Sequence, residues 1–206
     1  MPISQRAFNL IVQEETGGKT LYLARESHTD WPGGASGVTV ACGYDCGYET
    51  KAQIVADWGP KLRADMVTEL ESVAGIHGSP AKALAHELAT KVTIPWEVAI
   101  DVFTNRDVPA WEKIVKAPVP NTDKLSGDSF GALVSLAFNR GASFDLDGDR
   151  YIEMRYIKAA MEDENFHAIP HYFLSMRRLW PHGGDLWNRR GHEAALFAEG
   201  LVPARS

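Results

Sequence analysis

Cysteine is nearly absent from this chain, with two in 206 residues, Cys42 and Cys46. That excludes a disulfide scaffold. No second cysteine pair or histidine pair accompanies them, so they do not read as a metal site, and both are expected to be reduced thiols. No apolar run approaches the ~20 residues of a membrane span, so no membrane insertion is expected. Residues 1–10 carry one arginine and no long apolar stretch, so no signal peptide is expected. Basic residues are outnumbered, 21 against 27 acidic, for a formal charge of −6. That balance argues against a nucleic-acid partner. The one local excess of base, Arg177, Arg178, Arg189 and Arg190, suits either an anionic ligand or ordinary ion pairs. Internal repeats and low-complexity tracts are also missing. What remains is ordinary for a soluble globular protein, with 45% hydrophobic and 23% charged residues. The length fits one domain with at most two lobes.

The pattern of residues changes along the chain. Phe8, Ile11, Val12 and Glu15 share one face of a helix over residues 4–15, which Gly17 and Gly18 end. Residues 19–48 are glycine-rich and lack helical periodicity. Within them Val38, Val40 and Cys42 alternate with small residues, which predicts a short strand. From Thr50 onward the pattern is helical. Thr50 and Gln53 form a capping box, and Pro60, Pro95 and Pro109 sit where first-turn prolines open helices. Ser79 before Pro80 reads as another cap. Helices are predicted over 51–58, 60–74, 80–91, 95–104, 109–116, 127–139, 150–161, 166–179 and 185–198. The expectation is an α+β fold spanning 1–206, with a small β lobe at 19–48, a mainly helical lobe at 50–199 and a cleft between them.

Glu15 is the first candidate for chemistry. A carboxylate on the apolar face of a helix is costly to bury, and partial burial keeps a proton available, as a general acid requires. The competing reading is a helix-end glutamate that reaches solvent or an arginine. The second candidate lies in the segment SGVTVACGYDCGY, residues 36–48. Glycoside hydrolysis needs a base or nucleophile opposite the acid. Asp45 could serve, with the Thr39 hydroxyl holding the water. Equally, Asp45 could cap the turn before Gly47, with Thr39 a mere strand former.

Four features together resemble phage-type lysozymes, most closely the branch that includes pesticin-like toxin domains and some phage muramidases. They are Glu15 just before Gly17 and Gly18; the pattern WPGG-x-SGVT-x-x-x-GYD-x-GY from Trp31 to Tyr48; the helix ALVSLAFNRG from Ala132 to Gly141, with Asn139; and the helix LWNRRGHEAALF from Leu186 to Phe197. They span nearly the whole chain. The resemblance implies a lysozyme-like fold and a muramidase that hydrolyses the β-1,4 bond between N-acetylmuramic acid and N-acetylglucosamine. It implies Glu15 as general acid, Asp45 as second carboxylate and Thr39 as the residue that places the water. In better known phage lysozymes the second carboxylate precedes the threonine, which keeps Glu26 and Asp30 in reserve. Trp31, Tyr44, Asn139 and Arg189 are the candidate substrate contacts. An arginine of the C-terminal region, Arg189 or Arg190, is expected near Glu15, while Asn139 also reads as a helix end and Glu193 as a partner for a nearby base.

The expected partner is bacterial peptidoglycan, acted on by a monomer with no metal and no cofactor. An immunity protein would be a further partner of a toxin domain. The missing signal peptide predicts synthesis in a bacterial or phage-infected cytoplasm and action at the periplasm or cell wall. Two alternatives stay open. One is a lytic transglycosylase using Glu15 alone; the other is a non-catalytic glycan-binding or structural module.

Overall fold

The computed structural model describes residues 2–202. The chain is mostly helical with one small antiparallel sheet. In chain order the elements are α1 (Gln5–Thr16), α2 (Lys19–Leu21), a π-helical turn (Tyr22–Glu26), β1 (Thr39–Val40), β2 (Tyr44–Asp45) and a 3₁₀ turn (Cys46–Tyr48). Then follow α3 (Lys51–Trp58), α4 (Ala64–Ser72), α5 (Ser79–Leu88), α6 (Trp96–Val102) and a π-helical turn (Phe103–Asp107). The rest is α7 (Val108–Lys116), α8 (Gly127–Arg140), α9 (Ile152–Glu162), α10 (Ile169–Ser175) and α11 (Asp185–Gly200), joined by short 3₁₀ turns. None of the helices among the described residues is long and apolar enough to cross a membrane.

The predicted helices match this order, with three local differences. Residues 19–26 are helical rather than part of a β region. Gly17 and Gly18, at φ 63° and 88°, turn the backbone through a region closed to most side chains and let a second helix start at once. Of the apolar run Leu21, Tyr22 and Leu23, only Tyr22 is buried, its hydroxyl donating to the carbonyl of Ile94 at 2.9 Å. α4 starts at Ala64, not Pro60, because residues 59–62 form a turn. Gly78, at φ 74°, caps α5, and Ser79 is already its first residue. Thr50 caps α3 as expected, accepting from the Gln53 N–H at 3.2 Å.

The described residues form two compact units. One unit comprises the chain up to Ile11 and from Pro109 onward. Its centre is α8, buried without interruption from Ser129 to Ala137. Ser126 caps α8 by accepting from the Ser129 N–H at 3.1 Å, and Ser129 Oγ donates to the Phe197 carbonyl of α11 at 2.8 Å. Deeper along the same pair of helices, Glu193 is wholly buried. It meets Arg189 Nε at 3.2 Å, Arg190 Nε at 3.0 Å and the Ser135 hydroxyl at 2.7 Å. Burial pushes the Glu193 carboxyl up, against the pull of Arg190 and Arg189.

The other unit is Val12–Val108. Its core holds Trp58, Tyr22, Ile54 and Phe103, all essentially inaccessible. Here one guanidinium serves three carboxylates: Arg106 pairs with Glu49, with Asp57 at 2.9 Å and with Asp107 at 2.6 Å. Its guanidinium lies over the Tyr44 ring, 4.4 Å from the centroid. Burial raises the Asp107 carboxyl to about 6, Arg106 opposes this, and the charges of Asp57 and Glu49 add to it.

Two expected outcomes test this packing. A Cβ on Gly131 of α8 would run into the Cβ of Ala7 on α1. Gly131→Ala should therefore cost about 1–3 kcal/mol in urea unfolding, and the added change Ala7→Gly should recover most of it. Asp107 is raised in the folded state, so its contribution is whole below its ordinary value of 3.8 and is lost as pH rises through about 6. Between pH 4 and 6 this amounts to about 2–3 kcal/mol. Asp107→Asn should flatten that fall in a pH series of unfolding measurements, and an unchanged slope would refute the account.

Candidate functional site

The segment from Asp30 to Asp45 builds a short ladder. Thr39 pairs with Asp45 across the β1–β2 hairpin, and Val40 pairs with Tyr44. On its other side Thr39 exchanges two backbone hydrogen bonds with Asp30, at 2.8 and 2.9 Å. Directly opposed residues on antiparallel strands share a face, with Cβ atoms about 4.5–5.5 Å apart. Asp30, Thr39 and Asp45 thus form one row, with the hydroxyl between two carboxylates. The neighbouring Val38 and Val40 alternate to the opposite face and are buried.

Asp45 is held tightly. Its two oxygens both accept from the Gly37 N–H, each at 3.0 Å, and Oδ1 also accepts from the Gly47 N–H at 2.9 Å. The turn-capping reading of Asp45 is therefore part of the structure. It explains two glycines as well: a Cβ on Gly37 would lie 2.5 Å from Gly47 Cα, and one on Gly47 would lie 2.6 Å from the Ile76 carbonyl oxygen.

A pocket of about 360 Å³ opens beside this row. Glu15, Glu26, Asp30 and Thr39 line it, together with Arg25 and His28. Glu15 arrives from the last turn of α1, whose end is fixed by Thr16: its hydroxyl donates to the Val12 carbonyl at 2.7 Å and accepts from the Gly18 N–H at 3.1 Å. One Glu15 oxygen, Oε1, is screened from solvent. Glu26 lies at the end of the π-helical turn and its carboxyl is raised, first by burial, then by the charges of Glu15 and Asp30, against Arg25. The pocket gathers three carboxylates and a hydroxyl, one carboxyl having enhanced proton affinity. Such a set can donate and accept protons around a bound neutral or cationic group. Among the described residues, no group of three or more His, Cys, Asp or Glu is placed to hold a metal ion.

The other sequence-predicted site residues have different settings. Asp45 does not line the pocket, whereas the reserves Glu26 and Asp30 do. Tyr44 is buried, its hydroxyl donating to Asp57 at 2.9 Å and its ring edge-on to Trp58 at 5.2 Å. Trp31 borders a separate pocket and donates its indole N–H to the Ser36 carbonyl at 2.9 Å. In the other unit, Arg189 is buried against Glu193, and exposed Asn139 accepts from Arg190 at 3.3 Å. Cys42 and Cys46 are free thiols and both are buried. Burial pushes each up to about 12, and Cys42 also lines the Glu15 pocket.

No protein-family model matches the chain, and no curated protein matches it either.

The row predicts a separation of effects. Asp45→Asn leaves one good acceptor where two oxygens served two N–H groups, so it should lower thermal stability by about 1–3 kcal/mol. Asp30 uses its backbone in the ladder, so Asp30→Asn should leave the melting temperature within about 2 °C of the parent. Equal losses in both variants would mean that the hairpin does not depend on the Asp45 carboxylate.

Proposed function

We propose that this chain is a peptidoglycan muramidase, a glycoside hydrolase that cuts between N-acetylmuramic acid and N-acetylglucosamine. The observation that carries the reading is the meeting of Glu15, Asp30 and Thr39 in one pocket, with Glu26 beside them. The sequence resemblance to phage-type lysozymes supplies the substrate. A glycosidic oxygen leaves poorly unless it is protonated as the bond breaks. Glu15, with one oxygen screened from water, is the acid in this reading. Thr39 holds the attacking water, and a carboxylate next to it takes the proton. The resemblance assigns that part to Asp45. The geometry favours Asp30, because Asp45 is committed to the Gly37 and Gly47 N–H groups while Asp30 lines the same pocket as Glu15. Water attack from the face opposite the acid inverts the anomeric carbon; this route needs carboxyl groups roughly 6.5–9.5 Å apart.

A second reading rests on the raised carboxyl of Glu26. In it Glu26 is the proton donor, its carboxyl raised by burial and by its acidic neighbour Glu15. The lytic transglycosylase route differs in product, an anhydro-muramic end in place of a reducing end. The protein is proposed to act on the wall from the periplasmic or outer side, as a monomer.

The test is turnover of purified peptidoglycan with product analysis. Glu15→Gln should cut at least 100-fold more slowly while staying folded. Glu14→Gln, one position off the pocket face, should cut normally. Glu26→Gln, in the same assay, should retain activity with a shifted pH profile. Reducing muramic ends are the expected product. Full activity in Glu15→Gln would move the acid to Glu26, and no product from the parent would leave the glycan-binding module as the surviving reading.

A further inference from the structure

A second pocket, of about 230 Å³, lies in the same unit and shares Asp30 with the first. One wall is the extended segment Thr29–Asp30–Trp31, and the other is α5. Thr29 Oγ1 donates to the Ala85 carbonyl at 2.6 Å and fixes the segment against the helix. The helix side consists of Lys82, Ala85, His86 and Ala89, spaced i, i+3, i+4 and i+7, which is one stripe. The alanines leave room, and the long polar side chains rim it. Lys82 Nζ stands 5.6 Å from the centre of the Trp31 ring. Lys82 makes no ion pair among the described residues, where most exposed lysines here have a carboxylate partner (Lys19 with Glu97, Lys61 with Asp101, Lys91 with Glu87). The Trp31 ring is itself locked by its N–H bond to Ser36.

We propose that this groove is a subsite for the carboxylate-bearing stem peptide of a glycan strand seated in the Glu15 pocket, with Lys82 as its anion contact. The inference rests on the glycan reading of that pocket. Three features carry it. Asp30 lines both pockets, so the two adjoin at that residue. The cation makes no ion pair among the described residues and stands over a fixed aromatic face. The alanine floor accepts a narrow chain of small side chains, whereas a bare sugar ring offers Lys82 no charge. Stem peptides join the muramic acid through its lactyl group and carry free carboxylates, which match the Lys82 ammonium at the end of the groove away from the Glu15 pocket's acidic residues. His86 supplies a second hydrogen-bonding group one turn along. The groove would therefore make the protein discriminate peptide-bearing strands from stripped ones.

The experiment uses the full chain with Glu15→Gln, which keeps ligands intact. Calorimetric titration compares a muramyl tetrasaccharide carrying tetrapeptides with the same tetrasaccharide without them. The peptide-bearing ligand should bind about 5–10-fold more tightly, and Lys82→Glu should reduce that ratio to about one, with Lys82→Arg retaining it. Ala89→Leu, which fills the groove and leaves every charge in place, should also lower the ratio. Equal affinity for the two ligands in the Lys82-containing protein overturns the subsite, as does a Lys82→Glu variant that keeps the full ratio. Binding of neither ligand, together with no cleavage of peptidoglycan by the unsubstituted protein, overturns the glycan reading and the subsite together. Cleavage without peptide preference overturns the subsite alone.

Discussion

The Asp45 carboxylate accepts hydrogen bonds from the N–H groups of Gly37 and Gly47, and the shape of the candidate site follows from it. Charged acceptors of backbone N–H groups contribute roughly 1.5–3 kcal/mol each when the geometry is sound. Here they join the start of β1 to the turn after β2, at a place so tight that neither glycine has room for a Cβ. With both ends of the hairpin held, Thr39 has one possible position, and the ladder with Asp30 then fixes the third strand-like segment beside it. The side chain that sets this geometry is not itself in the pocket. A carboxylate can thus be indispensable to a site without touching what binds there.

Each unit also holds an ionic cluster, fully buried around Glu193 and partly buried around Arg106, and the two have opposite charge balance. In one, two arginines share Glu193; in the other, Arg106 serves Glu49, Asp57 and Asp107. Buried ion pairs seldom add net stability, because desolvation offsets attraction, but removing one partner is costly. The cluster with excess negative charge answers by raising the proton affinity of Asp107, first through burial and then through the charges of Asp57 and Glu49. Arg106 also covers the ring of Tyr44, whose backbone pairs with Val40 of β1. The acidic cluster therefore stands behind the hairpin that carries Thr39.

Most of the helical order was legible, because caps and helix-ending glycines act locally, whereas of the prolines expected to open helices Pro60 lies in the turn before α4 and Pro95 stands just outside α6. Thr50 and the glycines at 17 and 18 determine their chain directions with neighbours two or three residues away. The α2 region was misread because three consecutive apolar residues carry no period, and only Tyr22 turned out to face the core. Glu15 and Thr39 were found from chemistry and motif, and they do meet in one pocket. Asp30 was held only in reserve. Its place beside Thr39 depends on how the loop from Trp31 to Ser36 folds back, including the Trp31 N–H bond to Ser36, and no local pattern encodes that register. Tyr44, a candidate substrate contact in the sequence, is buried with its hydroxyl on Asp57, because alternation along β2 sends it to the core. Lys82 gave no signal at all, since its pocket exists only where Thr29 ties the Asp30 segment to α5.

On the muramidase reading, three carboxyl groups in one small pocket must divide two roles, and identical chemistry can be divided only by environment. Like charges close together cannot all remain ionised without cost, so the pocket favours keeping a proton. Glu26 feels this most clearly: burial, then Glu15 and Asp30, raise it, and Arg25 pulls the other way. Asp30 is exposed, at the solvent edge of the pocket. Glu15 stands between these conditions, half-buried with one screened oxygen. A sugar strand entering the pocket would displace water from all three, and desolvation penalises the charged form most where water is most completely removed. On this reading the difference in exposure between Glu15 and Asp30, and not any difference in chemistry, divides the acid from the base.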